Sequence, residues 1–248
     1  RYDPEKRVGM VVDEWGNWNV GQSTYGDLSL HLAVCTSIVN AKFPLHNSLM
    51  PGATMAYPYL SDSFASTLYM MGMELNDAMA FTGTLMLMLV FTGFALLCHQ
   101  LCRKKGAVYL AFFLLFLNGG LGFFHTLCGS VENGVTTTLK DNLNTVMTGY
   151  YKTPTNQPDP YNLRWVNMIC DMFVPQRGIL GGWTMLMPCL NLLLPPLVDR
   201  DGREKQGTRE LVLLGLFAGG LPLLHTHSYL ALALFSAGAC AYCVIHSR

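Results

Sequence analysis

Residues 78 to 101 contain no Asp, Glu, Lys or Arg, and the run stops at Arg103-Lys104-Lys105. At 1.5 Å per residue, a helix of that length reaches across the roughly 30 Å hydrocarbon core of a bilayer. A second uncharged run, 107 to 127, follows at once. Two apolar helices joined by a short basic turn make a transmembrane hairpin, with the turn on the cytoplasmic side. The competing reading, a pair of buried helices in a large soluble core, does not suit uncharged runs of this length.

Composition points the same way. Of the 248 residues 51% are hydrophobic and 13% charged, against about 25% charged in soluble proteins. Basic and acidic residues balance at 16 each, so there is no basic footprint for nucleic acid and none is expected as a partner. The eight cysteines do not form a disulfide framework. Cys98, Cys102, Cys189, Cys240 and Cys243 sit in or beside apolar runs, where cysteine behaves as a small hydrophobe. A bridge among Cys35, Cys128 and Cys170 stays open. The polar start, Arg1 to Arg7, carries no targeting signal, and an upstream segment is expected.

The remaining chain alternates in character. Residues 129 to 176 are polar and rich in Thr, Asn and Pro, which reads as a loop. Residues 179 to 198 are apolar with Pro188, Pro195 and Pro196, which predicts a kinked or broken helix. A charged turn over 199 to 209 leads to two short apolar runs, 211 to 224 and 229 to 245, parted by His225-Thr226-His227-Ser228. The latter read as two spans joined by a very tight turn. The expected fold is all-α, a polytopic membrane helical bundle with an exterior N-terminal region of short interfacial helices. Its parts are that exterior region (1–77), a transmembrane hairpin (78–128), an exterior loop (129–178) and further transmembrane helices with a charged cytoplasmic turn (179–248). Residues 57 to 73 are apolar apart from Asp62 and read either as a short inserted helix or as a further span.

Several polar residues then fall at the exterior ends of these elements. Asp27 and His31 are four apart, on one face of a helix predicted over 26 to 40. A carboxylate there can hold one imidazole nitrogen and leave the other free as a base or ligand. The plainer role is a helix N-terminus stabilised by Asp27. Asp13-Glu14 precedes Trp15 and Trp18. The carboxylates suit a base or a divalent cation, and the tryptophans suit a sugar face or anchorage at the membrane interface. Arg177, with Arg164 as a weaker companion, offers a guanidinium fork for phosphate; snorkelling towards headgroups is the ordinary alternative. His225 and His227 are candidate ligand contacts. No zinc motif is present. Asn118 and His125 lie in a glycine-rich stretch better suited to close helix packing.

Tyr25-Gly26-Asp27-Leu28-Ser29-Leu30-His31-Leu32, together with Phe43-Pro44, Tyr57-Pro58, Pro175-Gln176-Arg177 and Pro222 to His227, resembles the polytopic glycosyltransferases of the GT-C superfamily, in their poorly characterised bacterial members. The resemblance implies an N-terminal portion of such an enzyme, set in an inner or endomembrane with its site on the exterior side. It implies a lipid-linked sugar phosphate as donor and membrane lipid as the surroundings, with the acceptor open among carbohydrate, protein and lipid. Asp13, Glu14 or Asp27, with His31, would be the base or metal contact. Arg177, helped by Arg164, would hold the lipid phosphate. The alternative is a non-enzymatic transporter or flippase subunit for an anionic substrate, and a third is a membrane scaffold.

Overall fold

The computed structural model describes residues 10–12, 14–16, 18–20, 25–50, 52–118, 131–132, 135–136, 138–141, 144, 168–198 and 207–246. Eight helices make the fold all-α among these residues. The chain divides into two compact units, Arg1–Ser29 with Phe112–Pro175, and Leu30–Ala111 with Gln176–Arg248.

The first unit opens on a strand hairpin that the sequence reading did not anticipate. Strands β1 (Met10–Val12) and β2 (Trp18–Val20) pair antiparallel, with Val11 opposite Asn19. β-branched and aromatic residues favour this pleated pairing over a helix. Gly16, at φ +80°, supplies a left-handed position between the strands. A second hairpin joins β3 (Val131–Glu132) to β4 (Val135–Thr136), and a π-helical segment covers Met168–Phe173.

Helix α1 (Tyr25–Ile38) enters the second unit at Leu30. There follow α2 (Leu60–Met70), α3 (Leu75–Cys102), α4 (Lys105–Leu117, in this unit as far as Ala111), α5 (Arg177–Val198), α6 (Thr208–Leu224) and α7 (Thr226–His246). Within the 57 to 73 stretch lies the short helix α2: eleven residues give it only about 17 Å, well under a hydrocarbon thickness. Helix α3 stops where expected, with Arg103 at φ 53° and its N–H donating to the His99 carbonyl. The anticipated break in α5 is absent, and the helix continues through Pro188. Helices α6 and α7 are separate, with the single extended residue His225 between them.

Helices α3 and α5 run parallel, as three contacts show. Arg177 meets Met79 and Thr82, a Cβ on Gly93 would stand 2.6 Å from Met187 Cβ, and Asn191 Nδ2 donates to the Gly93 carbonyl at 2.9 Å. Helix α6 runs the other way, since its last residue, Leu224, reaches Gly178 and Gly181 at the start of α5. Helix α7 then begins beside Gly182 through Ser228. The starts of α3, α5 and α7 and the finish of α6 therefore share one end, and exposed Arg103, Lys104, Lys105 and Arg209 stand at the other. Cys189, Leu221 and Leu232 form the apolar centre of α5, α6 and α7.

By length and composition, Leu75–Cys102 and Thr226–Ile245 can each cross a membrane. Only 22% and 11% of their most apolar windows is buried within the protein. A core helix of a soluble domain would be mostly covered. Here Leu85, Met88 and Leu89 of α3 and Leu230, Leu234 and Phe235 of α7 remain exposed.

Candidate functional site

Four of the helices bring polar side chains into the shared end of the second unit. Asp62 lies in the first turn of α2, where the helix dipole favours an anion. Its side chain is fully buried. On one side it accepts from His31 Nδ1 of α1 at 2.7 Å; on the other it accepts from Arg177 Nε of α5 at 3.1 Å. Because a carboxylate oxygen only accepts, the hydrogen in the first bond resides on His31 Nδ1. His31 Nε2 is buried and has no hydrogen-bond partner. The ring of Tyr57 stands edge-on to that imidazole, with centroids 5.7 Å apart.

Arg177 is buried as well, and each of its three nitrogens donates to a protein acceptor. Nη1 donates to the Met79 carbonyl at 3.0 Å and Nη2 to Thr82 Oγ1. Thr82 passes its own hydrogen to the Ala78 carbonyl at 2.8 Å. A cation at the first turn of a helix opposes the dipole, and the Asp62 carboxylate offsets that. Sequence reasoning expected this guanidinium to face a lipid phosphate. It is instead the tie between α5, α3 and α2.

Cys35, one turn beyond His31, donates to the Asp62 backbone carbonyl and touches Met79 Sδ, both at 3.4 Å. Burial, reinforced by the Asp62 charge, pushes its thiol up to about 12. It therefore stays a neutral packing group. Ser61 and Ser66 flank Asp62 on α2; both are buried, and neither hydroxyl has a partner.

His225 borders this cluster. A Cβ on Gly178 would meet the Tyr57 hydroxyl at 3.7 Å and His225 Cδ2 at 4.0 Å. Only hydrogen fits at Gly182, where a Cβ would overlap His225 Cβ. His225 Nδ1 is 2.7 Å from Ser228 Oγ, and the His227 ring lies 5.3 Å away. Burial, then the neighbouring His227, lowers the His225 pKa from its usual 6.5. A depressed histidine stabilises the fold above its unfolded pKa, and that contribution is lost as pH falls through the folded value. Acidification below its usual 6.5 is therefore expected to loosen the α6–α7 junction. His225→Asn should flatten that response, as read by hydrogen exchange at residues 224 to 229.

The sequence-stated candidates thus separate. His31, Arg177 and His225 belong to one end of the second unit. His227 is exposed beside His225. Asp27 is exposed, and the carboxylate holding His31 is Asp62, which the sequence reading had noted only as an interruption of an apolar stretch. Glu14 and Trp15 are exposed in the first unit, between β1 and β2. Asp13, Arg164, His125 and the Trp18 side chain lie outside the described residues. Among the described residues no group of three or more His, Cys, Asp or Glu is placed to hold a metal ion. A lone carboxylate in an apolar segment was the available signal for Asp62, since such a residue needs a buried partner. No family model, curated protein or solved structure matches the chain.

Proposed function

We propose that the chain is part of a multi-pass membrane glycosyltransferase that takes sugar from a lipid-linked phosphate at the exterior end of its bundle, with His31 as the base. One observation carries this reading: a buried imidazole is fixed through Nδ1 by Asp62, while its Nε2 is unpartnered. That is the arrangement general-base catalysis uses, with one nitrogen held by a carboxylate and the other left as proton acceptor. An acceptor hydroxyl would lose its proton to Nε2 as its oxygen attacks the sugar anomeric carbon. The bond from that carbon to the phosphate oxygen would break, releasing lipid phosphate. Asp62 keeps the tautomer and Arg177 keeps Asp62 in place, so both are positioning residues. Exposed apolar faces on α3 and α7, and basic residues at the end away from His31, support a lipid setting with the site outside.

In membranes containing the protein, release of polyprenyl phosphate from a panel of polyprenyl-phosphate hexoses reads the activity. His31→Gln is expected to lower it by about 10²-fold or more while leaving extraction and monodispersity unchanged. Activity within a few-fold of wild type in that variant would remove the base. Substrate translocation without lipid-phosphate release would favour the transporter reading instead. Asn191, well inside α5 with its Oδ1 buried and unpaired, is the observation that keeps that second reading in view.

A further inference from the structure

The segment between α1 and α2 is built as a small closed hairpin. His46 and Thr54 form an antiparallel bridge, Asn47 N–H donates to the Ala53 carbonyl at 2.9 Å, and Met55 N–H to the Leu45 carbonyl at 2.8 Å. At the tip, Asn47 Oδ1 accepts from the N–H groups of Leu49 and Met50, and Ala53 N–H donates to the Met50 carbonyl. Gly52 supplies the left-handed position at φ +85°. Leu45 anchors the stem in the core, whereas Leu49 and Met50 are each 63% exposed. A soluble loop tip would carry polar residues in their place.

Charge on this segment has one sign. Between Asp27 and Asp62 the sequence holds no carboxylate, while Lys42 is exposed on the stem. Phe43 is also exposed and pairs with Tyr59, their ring centroids 6.5 Å apart. The stem runs into Tyr57 and Asp62, at the end of the second unit that holds His31.

We propose that this hairpin is a lipid-binding tip: Leu49 and Met50 enter the acyl boundary of the exterior leaflet, and Lys42 meets anionic phosphate headgroups. A backbone that enters lipid must keep its N–H groups satisfied. Those of Asn47, Leu49, Met50, Ala53 and Met55 are satisfied inside the hairpin, so insertion strips no water from them. Apolar side chains at the tip with a cation on the stem are the combination an anionic membrane surface retains. The consequence is a fixed depth for the chain entering α2, which holds the surroundings of His31 at headgroup level. This inference rests on the membrane reading given above.

The test uses an environment-sensitive fluorophore on Leu49→Cys, with exposed Cys102, Cys240 and Cys243, part-buried Cys98, and Cys128 and Cys170 changed to Ser, in nanodiscs containing phosphatidylglycerol. A second label, on Met88→Cys of α3, reports on the span independently. Insertion of the tip predicts quenching of the Leu49 label by lipid carrying a shallow doxyl group and little quenching by iodide. Lys42→Gln should weaken that partitioning by roughly fivefold. Doxyl quenching at Met88 with iodide quenching at Leu49 overturns the tip and leaves the span standing. Iodide quenching at both positions overturns both. Protection of Leu49 from both quenchers, as contact with another protein would give, also overturns it.

Discussion

Asp62→Ala is expected to destabilise the second unit by about 3–5 kcal/mol, the usual result of leaving a buried ion without its partner. The variant strands the Arg177 guanidinium, whose side chain is only 4% exposed, and removes the acceptor of His31 Nδ1. Neutral bonds from Arg177 to Met79 and Thr82 remain, but neither carries a compensating charge. Asp62→Asn should be milder, because it keeps an acceptor, although it still leaves the cation unpaired. The decisive comparison is a triple variant, His31→Leu with Asp62→Leu and Arg177→Met. Since apolar replacement of a whole buried ionic group is often neutral or stabilising, it should recover most of the loss. Thermal unfolding in detergent reads both. A single Asp62→Ala change that left the midpoint unmoved would show that the carboxylate does not hold these helices together.

Gly93→Val is expected to cost about 1–3 kcal/mol by overpacking, and to part α3 from α5. A Cβ there would stand 2.6 Å from Met187 Cβ and 3.8 Å from its Cα, so backbone as well as side chain must move. Separation would also stretch the Asn191–Gly93 bond, worth about 1 kcal/mol. Removing a mid-helix glycine returns up to about 1 kcal/mol of helix propensity, which is too little to offset these losses. Gly219→Ala is the control, because a Cβ at Gly219 meets nothing within 4 Å. It should be neutral or slightly stabilising. Met187→Gly in the Gly93→Val background, which removes the Cβ that stands 2.6 Å away, should restore part of the loss, measured by the same unfolding midpoint. Equal midpoints for Gly93→Val and Gly219→Ala would mean that these two helices are not in close contact.

Much of the helical frame was legible because charge and hydropathy act locally. The uncharged run at 78 to 101 became α3 with a margin of a few residues, and Arg103 ended it. The His225 break divided α6 from α7 because Pro222 and the extended His225 leave no room for a continuous helix. Of the kink or break that the prolines in α5 suggested, the break does not occur, since backbone freed by proline inside a packed bundle can be satisfied by neighbours. The hairpin at 10 to 20 was missed because its strands are only three residues long, below any clear alternation. His31, Arg177 and His225 stood out in the sequence by their chemistry, and the structure places them at one end of the second unit. Asp62 was not, because its importance comes from partners 31 and 115 residues away. The face pairing of Asp27 with His31 is sound helical geometry, yet the acceptor that holds the imidazole is Asp62 on α2.

The spacing between Asp62 and Arg177 also sets a schedule for biosynthesis. The carboxylate leaves the ribosome 115 residues ahead of its guanidinium. At about 5–20 residues per second that interval lasts roughly 6–23 seconds. Throughout it the nascent chain carries the Asp62 carboxylate without the guanidinium that pairs with it in the folded unit. The tie from α5 to α2 and α3 can therefore form only after that interval.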